Sequence, residues 1–252
     1  MIWHPGHPAP RPARSSRLRA GRRAIALLAL ATAVTGAAGC RSGGAPASAT
    51  PSAATTSSPL APSVSPAATS AAPSPNAPPR YVFPVAAKTD YAREHHNYPA
   101  TDIFANCGSP VLAATDGVVL EVSRVDTFDE AHPLGAAKGG LSVSIRGDDG
   151  VRYYGSHLSA IAPGIDAGIR VSAGTRIGDV GQTGNASHIC HLHFGISPPC
   201  AGTADWWNRR GVVWPWRYLD AWRTGQNLST VAEVTAWQHD HGCPTQPPPG
   251  EA

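Results

Sequence analysis

The residues before position 80 differ sharply in composition from those after it, and this break limits how much of the chain can fold. Residues 1–79 contain no Asp or Glu and seven of the chain's 20 Lys and Arg. Residues 80–252 therefore hold 13 basic and 17 acidic residues, a net charge of about −4 with neutral histidines. About 170 residues are enough for one well-buried core. Their acidic balance, without clustered Lys and Arg, predicts no nucleic-acid partner.

The first 39 residues have the order of features of a secretory signal peptide. Six arginines precede a short apolar run over residues 24–34, which is too short to span a bilayer as an ordinary helix. Small residues follow and end in Ala-Ala-Gly before Cys40, which resembles the lipobox of bacterial lipoproteins. We expect cleavage before Cys40 and lipid attachment there, on the outer face of the cytoplasmic membrane, facing the cell wall. A plain signal peptide with a chance cysteine is the alternative.

Residues 40–79 are mostly Ala, Ser, Pro and Thr. Such a segment cannot bury enough apolar surface to offset the entropy lost on ordering, so it is predicted to be disordered. Its prolines keep it extended, and it would therefore act as a tether that lifts the following domain from the membrane.

Short apolar strands and glycine-rich turns predict a mainly β domain over residues 80–200, of the β-sandwich or barrel-like type. Residues 111–114 and 118–122 flank a turn at 115–117, so the pair is predicted to form a hairpin. Residues 141–145 alternate in polarity and lead through a turn at 147–150 into another strand.

Residues 201–252 are predicted to form a Trp-rich helical extension. Helical patterns cover residues 216–224 and about 228–239, and six of the seven tryptophans lie in this region. We favour packing of these rings against the domain over a platform for sugars or peptides, since large aromatic side chains dominate small cores. Trp206 and Trp207 are the candidates for an exposed ledge.

Histidines and one aspartate in the β region have the residue types of a zinc site that keeps one position open for water. In a strand alternate residues face the same side, so His191 and His193 are expected to project together. A His-X-His pair alone is a weak signal, because most histidines are surface or hydrogen-bonded residues. The candidates are His95, His96, Asp102, His157, His191 and His193.

Four ordered motifs surround these residues. They are Gly-Ser-Pro-Val with Asp-Gly-Val-Val over 108–119, Tyr-Gly-Ser-His-Leu-Ser at 154–159, Gly-Ile-Arg-Val-Ser-Ala-Gly-Thr-Arg-Ile-Gly at 168–178, and Gly-Asp-Val-Gly-Gln-Thr-Gly-Asn at 178–185 followed by His-Leu-His-Phe at 191–194. Together they resemble the lysostaphin or LytM family of zinc metallopeptidases over about residues 81–196. Four motifs in order are far more specific than any one of them.

The resemblance implies a zinc ion held by a His and an Asp of the first motif and by the second His of the last motif. Carried onto this chain, the ligands are His96 or His95, Asp102 and His193. The family's usual first-motif histidine stands four residues before the Asp, where this chain has Tyr98. We prefer His96 here because it shares the strand parity of Asp102.

The same resemblance implies catalytic roles for His157 and His191 in a zinc-dependent endopeptidase that cuts stem or cross-bridge peptides of peptidoglycan. His191 would take the proton of the attacking water, and His157 would support the charge of the tetrahedral intermediate. The alternatives are a non-catalytic wall-binding module that activates other hydrolases, and a structural wall-tethering lipoprotein that uses the Trp-rich region.

Besides Cys40, the chain has four cysteines, an even number that favours disulfides in an exported domain. If the first and last motifs meet at a metal, as the resemblance implies, Cys107 and Cys190 are brought together. The expected bridges are therefore Cys107–Cys190 and Cys200–Cys243.

Overall fold

A computed structural model describes residues 79–200 and 205–249. The predicted signal peptide, Cys40 and nearly all of the predicted tether lie outside the described residues. The described chain contains nine strands, a 3₁₀ turn at Gly135–Ala137 and three helices. The strands are β1 (Asp90–Tyr91), β2 (Thr101–Phe104), β3 (Pro110–Leu112), β4 (Gly117–Ser123), β5 (Leu141–Gly147), β6 (Arg152–Ile161), β7 (Arg170–Val171), β8 (Arg176–Val180) and β9 (His191–Ser197); the helices are α1 (Trp206–Arg209), α2 (Trp216–Arg223) and α3 (Val231–His241).

The strands form one antiparallel sheet in the order β1-β2-β9-β6-β5-β4-β7, with β8 joining β3 to β6. Apolar side chains such as Ile103, Ile145, Leu158, Leu192 and Ile196 are at most 2% exposed and form its core. The predicted mainly β fold with short C-terminal helices is confirmed. Among the described residues, no helix is long and apolar enough to cross a membrane.

The predicted hairpin between residues 111–114 and 118–122 is wrong. Strand β3 pairs with β8, whereas β4 pairs with β5 and β7. Both edges of β3 are already occupied, because its other side receives the segment around Val85, and Leu112 N donates to Pro84 O at 2.8 Å. Residues 113–116 therefore connect two strands that pair with different partners, and they do not form the turn of a hairpin. The other predicted turn, at 147–150, does join paired strands, β5 and β6.

The C-terminal helices pack on the sheet through aromatic rings. Trp222 of α2 is 3% exposed and stacks on Tyr81, with ring centroids 5.2 Å apart. The same indole lies edge-on to Tyr153 and Phe194. Packing is thus the role of Trp222, as the sequence predicts.

Two covalent bridges and one buried ion pair fix the chain around these elements. The predicted disulfides Cys107–Cys190 and Cys200–Cys243 are both present, with Cα atoms 5.3 and 5.6 Å apart. Arg152 of β6 donates two hydrogen bonds to the carboxylate of Asp205, at 2.9 and 2.8 Å. The Arg152 and Asp205 side chains are 2% and 7% exposed. Because Asp205 immediately precedes α1, this pair holds the beginning of the extension to the sheet.

Candidate metal centre and active site

Adjacent strands β2 and β9 bring the aspartate and the His-X-His motif together. In the antiparallel register Asp102 lies opposite His193, and Phe104 lies opposite His191. The side chains of residues 191 and 193 share one face of β9, and His193 Nδ1 is 2.9 Å from Asp102 Oδ1. His191 Nε2 is 3.8 Å from the same carboxylate oxygen. The strand-alternation argument for these two histidines agrees with this placement.

The third member of the cluster comes from the segment before β2. His95 Nε2 is 3.7 Å from Asp102 Oδ1, and its side chain is 5% exposed. One ligand atom from each of His95, Asp102 and His193 lies within 4.8 Å of the others. His96 is exposed and is not a member of this group. The parity argument for His96 does not apply, because residues 96–99 are bends and the strand begins only at Thr101.

Backbone carbonyl groups determine which nitrogen of each imidazole faces the site. Since a carbonyl oxygen can only accept, the ring nitrogen beside it carries the proton, and the other nitrogen of a neutral ring presents a lone pair. The four contacts are His95 Nδ1 to Tyr98 O at 3.3 Å, His157 Nδ1 to Thr183 O at 2.8 Å, His191 Nδ1 to Ile189 O at 2.9 Å, and His193 Nε2 to Arg210 O at 2.9 Å.

This pattern tests whether the cluster suits a metal. With its Nε2–H donated to a carbonyl, neutral His193 points the Nδ1 lone pair at a carboxylate oxygen 2.9 Å away. Two lone pairs facing each other repel unless a proton or a cation lies between them. His95 presents Nε2 to the same oxygen. Two imidazoles and a carboxylate, each ring oriented by a carbonyl behind it, form a donor set that fits zinc with an open position.

The pKa shifts of His95 and His157 favour neutral rings, and that of Asp102 favours an ionised carboxylate. Burial, followed by the charge of His193, lowers the pKa of His95 to about 4. Burial also lowers the pKa of His157 to about 3, with neighbouring His193 acting in the same direction. Burial alone would raise the pKa of Asp102, but a proton held between its Oδ1 and His193 Nδ1, with the charge that this proton gives His193, outweighs burial and brings the pKa of Asp102 below its usual range. Neutral imidazoles beside an ionised carboxylate are the forms that bind a metal.

His157 stands beside this cluster in an unusual backbone conformation. Its φ is +64°, which lies in the left-handed region that a histidine seldom adopts. The amide of His157 donates to Gly139 O at 2.9 Å, so the loop after the 3₁₀ turn helps to hold this conformation. The His157 ring centroid is 4.7 Å from that of His191. Backbone strain of this kind persists where the surrounding structure imposes it, and it is frequent at active sites.

The cluster opens into a cavity of about 630 Å³. His95, Asp102, His157, His191 and His193 all line it, as does His96. The structure therefore brings every sequence-predicted site residue to one cavity, although His96 lies away from the three converging ligand atoms.

Sequence reasoning missed the contribution of the C-terminal extension to this site. Trp206, Arg209 and Arg210 line the cavity, and the Arg210 carbonyl orients the imidazole of His193. A backbone carbonyl leaves no sequence signal. The neighbouring tryptophans indicated this contribution only in part. Trp206 and Trp207, the candidates for an exposed ledge, are half-buried, and Trp206 lines the cavity.

Comparisons with known proteins agree with this arrangement of residues. Residues 96–204 match the model of peptidase family M23. The chain is 29% identical over 159 residues to the L-Ala–D-Glu endopeptidase of Bacillus subtilis, covering 56% of this chain and 44% of the relative. It is 34% identical over 99 residues to the glycyl-glycine endopeptidase ALE-1 of Staphylococcus capitis, covering 39% of this chain and 24% of that protein.

Among solved structures, the catalytic domain of lysostaphin from Staphylococcus simulans aligns with 24% identity and a TM-score of 0.40, over 53% of this chain and 92% of that domain. The chain spans less than half the length of either curated relative. The match to the family model begins at His96 and ends beyond His193, so it contains the aspartate and the His-X-His motif. Residues 96–204 therefore match a domain of peptidase family M23.

Proposed function

We propose that this protein is a zinc-dependent endopeptidase that hydrolyses peptide bonds of peptidoglycan. The observation that carries the proposal is the convergence of His95 Nε2, Asp102 Oδ1 and His193 Nδ1 in a cavity that two further histidines also line. Three donor atoms of this kind, with carbonyl groups behind both imidazoles, are the arrangement that a catalytic zinc requires.

His95, Asp102 and His193 would hold the zinc ion and leave the fourth position for water. A bound zinc lowers the pKa of a water molecule towards neutrality and polarises a carbonyl group. We choose His95 over His96 because the Nε2 atom of His95 reaches the carboxylate while its Nδ1–H is donated to Tyr98 O.

His191 and His157 would move protons during hydrolysis. Each ring donates from Nδ1 to a carbonyl, so Nε2 is the acceptor atom on the side of the cavity. His191 Nε2 adjoins the ligand group, 3.8 Å from Asp102, and would accept the proton of the attacking water. His157 would stabilise the negative charge of the tetrahedral intermediate. Because its Nδ1–H is engaged by Thr183 and its pKa is lowered to about 3, His157 would do so by taking up a proton on Nε2 as that negative charge develops beside it.

The names of the relatives support a wall peptide as the substrate, since both are endopeptidases, one for L-Ala–D-Glu and one for glycyl-glycine bonds. The substrate class proposed here is the stem or cross-bridge peptide of peptidoglycan. A module that only binds the wall has no need for a converged ligand set beside two acceptor imidazoles, so the alternative of a non-catalytic activator is not favoured.

The test uses the purified full chain. We expect about one zinc per protein by elemental analysis, and peptide fragments with new amino termini when peptidoglycan is digested and analysed by mass spectrometry. A chelator should abolish cleavage and added zinc should restore it. Cleavage that survives both the chelator and His193→Ala would contradict the zinc mechanism.

We also propose attachment to the membrane through a lipid on Cys40, on the outer face of the cytoplasmic membrane. The support is the order of charge, apolar run and small residues before that cysteine. Cys40→Ala should move the exported protein from the membrane fraction to the soluble fraction. A variant that remains with the membrane would refute the proposal.

A further inference from the structure

The imidazole of His191 is oriented by a carbonyl group that lies two residues earlier in the chain. Its Nδ1 donates to Ile189 O at 2.9 Å, which leaves Nε2 as the acceptor atom on the side of the cavity. Pairing within the sheet fixes the His191 backbone, because its amide donates to Gly181 O at 3.2 Å. This pairing does not select the tautomer of the ring, which is set by the hydrogen bond that Ile189 O accepts.

The turn that carries this carbonyl is strained and lies at the surface. Ser187 and His188 have φ values of +52° and +58°, in the left-handed region that residues other than Gly seldom adopt. Both residues are exposed, and the Ile189 side chain is 52% exposed. The Ile189 amide donates to Ala186 O at 3.0 Å and so closes the turn on one side. A strained turn of this kind persists only where the neighbouring structure imposes it.

The Cys107–Cys190 disulfide restrains the other side of the turn. The Ile189 carbonyl and the Cα atom of Cys190 belong to one peptide plane, so holding Cys190 restricts the direction of that carbonyl. Cys107 itself stands beside a paired segment of the sheet, because the next amide, of Gly108, donates to the last carbonyl of β8 at 2.8 Å. The disulfide therefore ties the carbonyl that orients the imidazole to the sheet.

We propose that the Cys107–Cys190 disulfide positions His191 as the proton acceptor of the hydrolysis. It does so by holding the Ile189 carbonyl, which keeps the proton of the neutral imidazole on Nδ1. This inference rests on the proposed function and makes that function depend on oxidation of two cysteines. When the disulfide is broken, the turn can relax from its left-handed conformation and the carbonyl no longer selects the tautomer. A ring that carries its proton on Nε2 cannot accept a proton from water at that atom, so turnover falls although the proposed zinc ligands remain.

The test removes each disulfide from the full chain in turn. The two bridges are a matched pair, because Cys190 directly precedes β9 and Cys200 comes shortly after its end. One variant combines Cys107→Ser with Cys190→Ser, and the control combines Cys200→Ser with Cys243→Ser. ¹⁵N NMR of histidine-labelled protein reports the tautomer directly, and the His191 signal is identified by its absence in His191→Ala.

We expect loss of the Cys107–Cys190 disulfide to shift His191 from the Nδ1–H form towards a mixture with the Nε2–H form. Turnover should fall at least about tenfold in kcat, which is part of the 10²–10⁴-fold that a positioned acid–base group typically contributes. KM and the zinc content of the folded protein should stay unchanged, because the disulfide acts through a group that does not bind the metal. The control should keep both the Nδ1–H form and the parent kcat.

An unchanged tautomer in the first variant, or a shifted tautomer with unchanged kcat, would overturn the positioning role. Zinc loss in proportion to turnover, or an equal shift in the control, would overturn it as well. If the parent chain cleaves no peptide but the tautomer still depends on the disulfide, the proposed peptidase activity fails while the orientation of His191 by the disulfide stands.

The first variant could lose its fold, so a second measurement uses the folded control protein, in which Cys107–Cys190 is the remaining disulfide. Its spectra and kcat are compared before and after reduction by a phosphine. The same shift of His191 and the same loss of turnover are expected, and both should reverse on reoxidation. Spectra and kcat that do not respond to reduction would overturn the inference.

Discussion

Asp205→Ala is the substitution that most directly tests how the extension supports the active site. Asp205 neutralises Arg152, and the carbonyl of Asp205 also receives the Asn208 amide in the first turn of α1 at 2.9 Å. The substitution leaves the Arg152 guanidinium in a site where its side chain is 2% exposed. Removing one partner of a buried ion pair costs about 3–5 kcal/mol of folding stability. With a urea m-value of about 2 kcal/mol per M, the midpoint of unfolding should fall by roughly 1.5–2.5 M.

The matched control is Asp166→Ala, which breaks a pair of similar length with Arg124. Those side chains are 46% and 65% exposed, so the expected loss is only about 0–1 kcal/mol. Zinc affinity provides a second measurement, because loosening α1 releases the Arg210 carbonyl from His193. Loss of such a partner typically lowers metal affinity by about 10–100-fold. Equal urea midpoints for the two variants would refute the role of the buried pair, and unchanged zinc affinity would refute its link to the metal site.

The remaining predictions concern the histidines of the centre. His193→Ala should lose zinc and activity together, whereas His191→Ala and His157→Ala should retain zinc and lose about 10²–10⁴-fold in turnover, measured by metal analysis and peptide cleavage; equal zinc loss in all three would contradict the division of roles. Of the neighbouring pair, His95→Ala should cost zinc and His96→Ala should not, and the reverse result would restore the ligand chosen by strand parity. Metal-free protein should lose stability as pH falls from about 6.5 towards 4, because the pKa values of His95 and His157 are lowered to about 4 and 3 in the fold and the unfolded chain takes up protons first. Urea midpoints across that range should decline, and His157→Phe should flatten the decline.

The sequence predicted the residues of the site more completely than the parts of the chain that surround and support them. The face shared by His191 and His193 follows from strand alternation, which is local, and β9 is a regular strand. His95 could not be chosen over His96 by the same rule, because the rule requires an extended chain up to Asp102 and the chain bends there.

Features that depend on distant neighbours were harder to predict. The prediction of a first hairpin was wrong because both edges of β3 are paired with segments remote in sequence. The Arg152–Asp205 pair joins residues 53 positions apart, and nothing in either local sequence marks the partner. The role of Arg210 is carried partly by its carbonyl group, which every residue possesses.

The Cys107–Cys190 bridge changes how far apart in the chain the metal ligands are during folding. Asp102 and His193 are separated by 91 residues along the chain, and the cysteines by 83. Through the disulfide, however, Asp102 is five residues from one cysteine and His193 is three residues from the other. Closing this shorter path costs about 2 kcal/mol less loop entropy than closing the longer one. Once the Cys107–Cys190 disulfide has formed, the metal ligands are close along the linked chain and need not be brought together across 91 residues. A chain with this disulfide should therefore bind its metal earlier in folding than a reduced chain.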